Sequence, residues 1–243
     1  MEIIKEISDW IKHKVEEAKA EGIVVGLSGG LDSSVVACLA EKSLGNSKVL
    51  GLIMPCHNNS LDEEHAYLIA RKLNIKVERV ALNTVYDKFL EILPSGKDMA
   101  IANIKPRLRM ITLYYFANNL NYLVLGTGNK SEILIGYFTK YGDGGCDILP
   151  LGELLKSEVR ELAKELKIPE EIIKKPPSAG LWEGQTDEGE IGLSYRDLDR
   201  LLLAIESGEF EEVNFLPKET VDKVRRLVES SKHKRASAPI FKR

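Results

Sequence analysis

"GLSGGLDSSVVACLAEK", Gly26 to Lys42, follows the apolar run Ile23, Val24 and Val25 and leads into an apolar-periodic segment. A short buried strand that hands over to a helix through glycines and serines makes a loop whose backbone N–H groups face an anion, helped by the helix dipole. Gly29 and Gly30 let the backbone approach oxygens that a Cβ would hold off, and Ser28, Ser33 and Ser34 add hydroxyl donors. The loop lacks the Lys-Ser/Thr ending of the Walker P-loop and the G-x-G-x-x-G of dinucleotide folds. Asp32 is its informative residue: a carboxylate repels bare phosphate, so its place in a phosphate cradle implies an intervening Mg2+. The bland alternative is a Gly-Ser turn with Asp32 as a first-turn cap.

Working outward, "EIIKEISDWIKHKVEEAKA" (Glu2 to Ala20) sets Ile3, Ile4, Ile7, Trp10, Ile11 and Val15 on one helical stripe. Leu31 to Leu44 reads as a helix, "KVLGLIMP" as a second strand and "IKVERVAL" as a third. "SLDEEHAYLIARKL" opens with Ser60 and an acid three residues on, a capping-box signature for the helix between them. Met99 to Asn118 is helical in pattern, with Pro106 tolerable near a helix start or at a kink. "NYLVLGT" is a fourth strand and "KSEILIGYF" a short helix. This alternation predicts an α/β fold: a parallel sheet with helices on both faces. Beyond residue 138, "TKYGDGGCD" and "KKPPSAGLWEGQTDEGEIG" read as loops, the second as a lid. Further helices are expected at Leu155 to Leu166, Tyr195 to Ser207 and Thr220 to Ser230, before a basic tail, "SKHKRASAPIFKR".

The 243 residues suit one large α/β domain with helical additions, and 44% apolar content suffices for a sizeable core. A net charge of −3 gives no overall field for nucleic acid. Cys38, Cys56 and Cys146 have no C-x-x-C spacing, against a disulfide framework or a structural zinc site. The charged first twenty residues and the lack of a membrane-length apolar run lead us to expect a soluble cytoplasmic protein.

"LSGGLDSS" resembles the PP-loop of the ATP pyrophosphatases, which cleave ATP between its α- and β-phosphates. "NIKPRLRM" (Asn103 to Met110), "GTGNKSE" (Gly126 to Glu132), "FTKYGDGGCDILPL" (Phe138 to Leu151) and the "HK" at His233–Lys234 narrow the likeness to ammonia-dependent NAD synthetases, over nearly the whole chain and in the right order. The resemblance implies an adenine nucleotide alpha-hydrolase-like, Rossmann-like fold in a single domain over 1–243. Its ATP-pyrophosphatase core would span 20–165, and its C-terminal lid loop and helices 175–243.

The likeness places ATP against Gly26, Leu27, Ser28, Gly29, Gly30, Leu31, Asp32 and Ser33, with Thr127, Lys156 and Ser178 as further contacts. Asp32 and Glu132 would be Mg2+ ligands. Arg107, Lys140, Asp147, His233 and Lys234 match positions that bind nicotinic acid adenine dinucleotide (deamido-NAD), whose pyrophosphate and carboxylate suit cationic contacts. Arg109 lies about 200° around the helix from Arg107, so both cannot face one ligand; the motif favours Arg107. A lysine near the α-phosphate, Lys156, would stabilise charge on the leaving pyrophosphate. Asp143 is either the carboxylate that binds ammonium and takes its proton or a turn-forming Asp in "YGDGG".

The implied reaction is amidation of deamido-NAD by ammonia through an acyl-adenylate, giving NAD, AMP and pyrophosphate. Use of glutamine needs a catalytic Cys with base partners in a further domain, and Cys38 falls inside the helix after the loop, so ammonia is expected as nitrogen source, free or supplied by a separate glutaminase subunit. Family members are homodimers; Met110 to Asn118, apolar on several sides, fits either a helix packed both inward and against a second copy or a fully buried helix. Another PP-loop amidating enzyme, or a non-catalytic nucleotide-binding regulator, would keep the first loop and differ in its acceptor or in the need for Asp32, Glu132 and Lys156 together.

Overall fold

In the computed structural model, residues 2–242 are described apart from 58 and 183, with 212 described in its backbone only. Helix α1 (Glu2–Glu17) buries Ile7, Ile11 and Val15, while Ile3 and Trp10 are exposed, so its inward stripe is narrower than the pattern suggests. Strand β1 (Gly22–Gly26) and helix α2 (Leu31–Leu44) fall where expected. β2 (Val49–Ile53) follows, then α3 (Ser60–Leu73), whose cap is Asn59 and not Ser60: the Asn59 side chain accepts from the Leu61 N–H at 3.1 Å. A side-chain acceptor one residue earlier leaves Ser60 inside the helix.

β3 (Lys76–Arg79) leads into α4 (Asn83–Ile92), a helix with no side-chain cap and no clear start signal in the sequence. The single helix expected over Met99 to Asn118 is two, α5 (Asp98–Ala102) and α6 (Ile104–Leu120), parted at Asn103. Pro106 is then the third residue of α6, where its missing N–H has no intrahelical partner to lose. β4 (Tyr122–Leu125) and α7 (Lys130–Ile135) complete the first part.

The four strands are parallel, in the order β3-β2-β1-β4. Period-two alternation divides β1 between two cores: Ile23 and Val25 join the side built by α1, α2 and α3, and Val24 joins the side covered by α6. The chain adds β2 and β3 on one side of β1 and returns with β4 on the other. Such a reversal opens a crevice at the carboxyl ends of the strands on either side of it.

The remaining helices are α8 (Lys156–Glu165), α9 (Glu170–Ile173), α10 (Asp187–Ile191), α11 (Tyr195–Ser207), α12 (Lys218–Ser230) and α13 (Lys232–Arg235). α8 packs against α2 in the main core, whereas α11 and α12 lean on α7 around a smaller one that includes Ile135, Leu198, Leu201 and Val224. The Gly- and Pro-rich stretch expected as a loop holds one short helix, α10. No helix among the described residues is long and apolar enough to cross a membrane.

Candidate active site

The loops that leave β1 and β4 flank the crevice. After β1, the hydroxyls of Ser28 and Ser33 lie 3.0 Å apart, Ser33 donates to the Gly30 carbonyl at 3.0 Å and Ser34 to the same carbonyl at 2.8 Å. The serines therefore fold the loop, and α2 keeps its first N–H groups without a side-chain cap, open to an anion. Gly29 serves a different end from the one expected. Its φ is +72°, and a Cβ there would sit 2.1 Å from the Asp62 carbonyl, so glycine lets the loop press on α3. Leu27 and Leu31 are buried beneath the loop and act as its footing.

After β4, Asn129 starts α7 with a reciprocal capping box: it accepts from the Glu132 N–H at 3.0 Å, and Glu132 reaches back to the Asn129 N–H at 3.4 Å. The amide of the fully buried Asn129 donates to Asp32 Oδ1 at 3.1 Å, joining the two loops. Lys156, the first residue of α8, is 2% exposed and lies between the acids, with Nζ 2.5 Å from Asp32 Oδ2 and 3.0 Å from Glu132 Oε1. Its backbone is fixed as well: the Lys156 N–H donates to Ser131 Oγ at 3.0 Å, and Asp199 of α11 accepts from the Ser157 N–H at 2.8 Å. Asp32, Glu132 and Lys156, each chosen from a different stretch of sequence, thus meet at one point.

The electrostatics of that point are unbalanced. Burial alone lowers the pKa of the Lys156 ammonium, but Asp32 and Glu132 outweigh it and hold the value above that of an ordinary lysine. Glu132 is pushed up to about 7, first by burial, with Lys156 opposing and the charge of Asp32 adding to the rise. Asp187 of α10 is buried nearby and is also raised, by burial first. Three carboxylates therefore share one ammonium.

The second group of expected residues gathers at the other end of the crevice. Arg107 is exposed and donates to the Lys140 carbonyl at 3.4 Å, whereas Arg109 turns inward, its Nε 3.3 Å from the Met54 carbonyl beyond β2. The C-terminal helix folds back over this end: Lys140 Nζ lies 2.5 Å from the His233 carbonyl, and Lys234 Nζ bonds the Gly136 and Phe138 carbonyls at 2.7 and 3.0 Å. Asp143 accepts from the Thr139 N–H at 2.9 Å, the geometry of a turn residue, while its charge opposes the lowering that burial causes at Lys234. Asp147 is anchored through both oxygens, Oδ1 to the Tyr114 hydroxyl at 2.9 Å and Oδ2 to the Val124 N–H at 2.7 Å, a strut at the end of the sheet. Thr127 stands at the lip just past β4. Ser178, on the exposed side of the covering segment, accepts from the Gly180 N–H at 3.1 Å.

Several neighbours of the site carry weak sequence signals. Lys175 bonds Asp62 and lies 3.4 Å from the Gly29 carbonyl, bringing the covering segment onto the phosphate loop, yet in the sequence it is one of two lysines in a loop. Tyr195 reads as a helix-start residue and Asp187 as part of the lid loop. Asn129 had a usable signal, an Asn three residues before a Glu ahead of an apolar run.

A family model described as NAD synthase matches residues 3–238. The NH(3)-dependent NAD(+) synthetase of Carboxydothermus hydrogenoformans is 51% identical over 236 residues, covering 95% of this chain and 93% of that protein. Among solved structures, an NMN synthetase from Francisella tularensis superposes with a TM-score of 0.90 at 37% identity, covering 99% of this chain and 97% of the other. The NH3-dependent NAD synthetase from Campylobacter jejuni, solved with a nitrate ion, gives 0.87 at 31% identity, with 99% and 98% covered.

Proposed function

The chain belongs to the NAD synthase family, and from that premise we propose that it joins ammonia to the carboxylate of deamido-NAD, converting ATP to AMP and pyrophosphate. The observation that carries the reading is the meeting of Asp32, Glu132 and Lys156 at the end of a phosphate loop. The triphosphate lies along the N–H groups of α2 and the loop before it. Lys156 is drawn from the carboxylates toward the α-phosphate as charge builds on the departing pyrophosphate. The carboxylate of deamido-NAD attacks that phosphorus in line, leaving an acyl-adenylate, and ammonia displaces AMP. Arg107, Lys140 and Lys234, with His233 beside them, supply the cationic end that a dinucleotide with its own pyrophosphate requires. Asp143 stands beside this end as the acceptor of the proton that ammonium must lose.

Mg2+ fits the donor set. Two hard oxygen ligands converge on one position beside a phosphate cradle, and the excess of carboxylate over ammonium favours a divalent cation. Among the described residues no cluster of three His, Cys, Asp or Glu is assembled for a metal, in keeping with an ion that takes one or two carboxylates and completes its shell with phosphate oxygens and water. Asp32 and Glu132 would hold it, and it would neutralise phosphate charge during transfer.

Ammonia as nitrogen source agrees with the thiols. Burial pushes Cys38 and Cys146 up to about 11 and raises Cys56 as well, so none is poised as a thiolate nucleophile.

Product analysis tests the reading. Turnover must give AMP and pyrophosphate, AMP release must require deamido-NAD, and labelled ammonium must enter the new amide one for one. Xanthosine monophosphate and aspartate should not substitute. ADP would overturn the phosphate-loop assignment. The Francisella tularensis relative is named for NMN, so the second reading is a mononucleotide acceptor; a higher kcat/KM with that acceptor would replace the first.

We propose a homodimer as well. α6 turns Leu108, Leu113 and Phe116 to the sheet while Ile111 and Tyr115 stand 59% and 63% exposed on its outer side. Light scattering should give twice the chain mass, and Ile111→Asp should shift it toward the monomer. A persistent monomer in the unaltered protein at every loading would refute the dimer.

A further inference from the structure

Tyr195 and Asp187 touch the site but have no part in the chemistry above. The Tyr195 hydroxyl lies 3.0 Å from Asp187 Oδ2 and 3.4 Å from Glu132 Oε1. It carries one hydrogen, so the two carboxylates compete for it. Its ring lies over Lys156, with Nζ 5.0 Å from the centroid. Asp187 belongs to the segment that covers the site: its N–H donates to the Pro177 carbonyl at 3.0 Å, and the next residue, Glu188, accepts from the Tyr195 N–H at 2.8 Å. Among the described residues, the other oxygen of Asp187, Oδ1, is buried with no hydrogen-bond partner. An acid kept in such a place at a cost to folding points to a role in function.

We infer that Asp187 and Tyr195 form a latch between the covering segment and Glu132. This rests on the reading of Glu132 as a Mg2+ ligand. With the segment seated, Asp187 takes the shared hydrogen, as the shorter of the two distances indicates, and Glu132 Oε1 keeps only the Lys156 ammonium, 3.0 Å away, which an entering cation displaces. With the segment lifted, Tyr195 donates to Glu132 and occupies that oxygen. Seating of the segment and readiness of the ligand become one event, and Tyr195 and Asp187 are positioning residues.

The latch predicts opposite consequences at its two ends. Asp187→Ala should raise the Mg2+ concentration needed for half-maximal ATP binding about tenfold, the worth of one hydrogen bond to a charged group. Adding Tyr195→Phe should bring that requirement back to within about threefold of wild type, because no hydroxyl remains to occupy Glu132. In both variants, and in Tyr195→Phe alone, ATP should fail to protect the chain from chymotrypsin at Trp182, since the segment has lost its tie. Calorimetry without acceptor or ammonia reads binding apart from turnover. Wild-type ATP binding that ignores Mg2+ would sink the ligand reading of Glu132 itself. Magnesium dependence in the wild type, with an unchanged requirement in Asp187→Ala or no restoration in the double variant, would overturn the latch and leave that reading intact. Should Asp187→Ala fail to fold, Tyr195→Phe decides alone: retained protection at Trp182 refutes the latch.

Discussion

Asp32→Asn is expected to fold as the unaltered chain does and to lose at least about a hundredfold in turnover, the scale on which one group that neutralises developing charge contributes. The two halves of this outcome have separate causes. In the free protein Asp32 is one of three carboxylates around a single ammonium, so replacing it by a neutral isostere relieves repulsion. The amide oxygen can still accept from Asn129, whose side chain now lies 3.1 Å from Asp32 Oδ1. Unfolding by urea should therefore shift by less than about 1 kcal/mol. Turnover should fall because Asp32 is the proposed ligand of the cation next to the transferred phosphate, and the loss should deepen as Mg2+ is lowered. Near wild-type rates at limiting Mg2+ would remove Asp32 from the metal site.

Lys156→Met behaves in the reverse way, losing stability and activity together. Lys156 is 2% exposed and bonds both Asp32 and Glu132. Without it, three acids face one another in a buried space with no cation. Removing one partner of a buried pair typically costs about 3–5 kcal/mol, and protonation of the acids recovers part of that. Mg2+ should then stabilise the variant more than it stabilises the unaltered chain, because the ion enters a site that no ammonium contests. Thermal unfolding with and without Mg2+ reads this directly. An equal response in both proteins would mean that Asp32 and Glu132 do not bind the cation. Turnover should stay low even where Mg2+ restores the fold, since the charge near the α-phosphate is gone.

Both variants depend on a meeting of residues that lie 24 and 100 positions apart along the chain, from Asp32 to Glu132 to Lys156. Each stood out for a local reason: an acid in a phosphate loop, an acid after the fourth strand, a lysine matched by family resemblance. Their distances and their 3:1 imbalance with Asp187 were not legible, because these depend on how α8 packs against α2 and on where the chain carries α10. Asn59 as the cap of α3, the break at Asn103 and the whole of α4 were missed for a related reason. Each is settled by which of several weak local signals the tertiary contacts favour.

Periodicity and turn chemistry by themselves determined the parallel α/β sheet, the phosphate loop and the order of its strands along the chain, because alternation of apolar residues and Gly-rich strand ends act over a few residues. The side-by-side order β3-β2-β1-β4 was decided only by long-range pairing. So was the fate of single groups. Asp147, matched by resemblance to a deamido-NAD position, is held through both oxygens by the Tyr114 hydroxyl and the Val124 N–H. Tyr195 looks like a helix start and Asp187 like part of a loop, yet the Tyr195 hydroxyl meets both Asp187 and Glu132. A charged or polar side chain has no fixed partner along the chain; burial next to specific neighbours gives it one, and only the folded structure sets those neighbours.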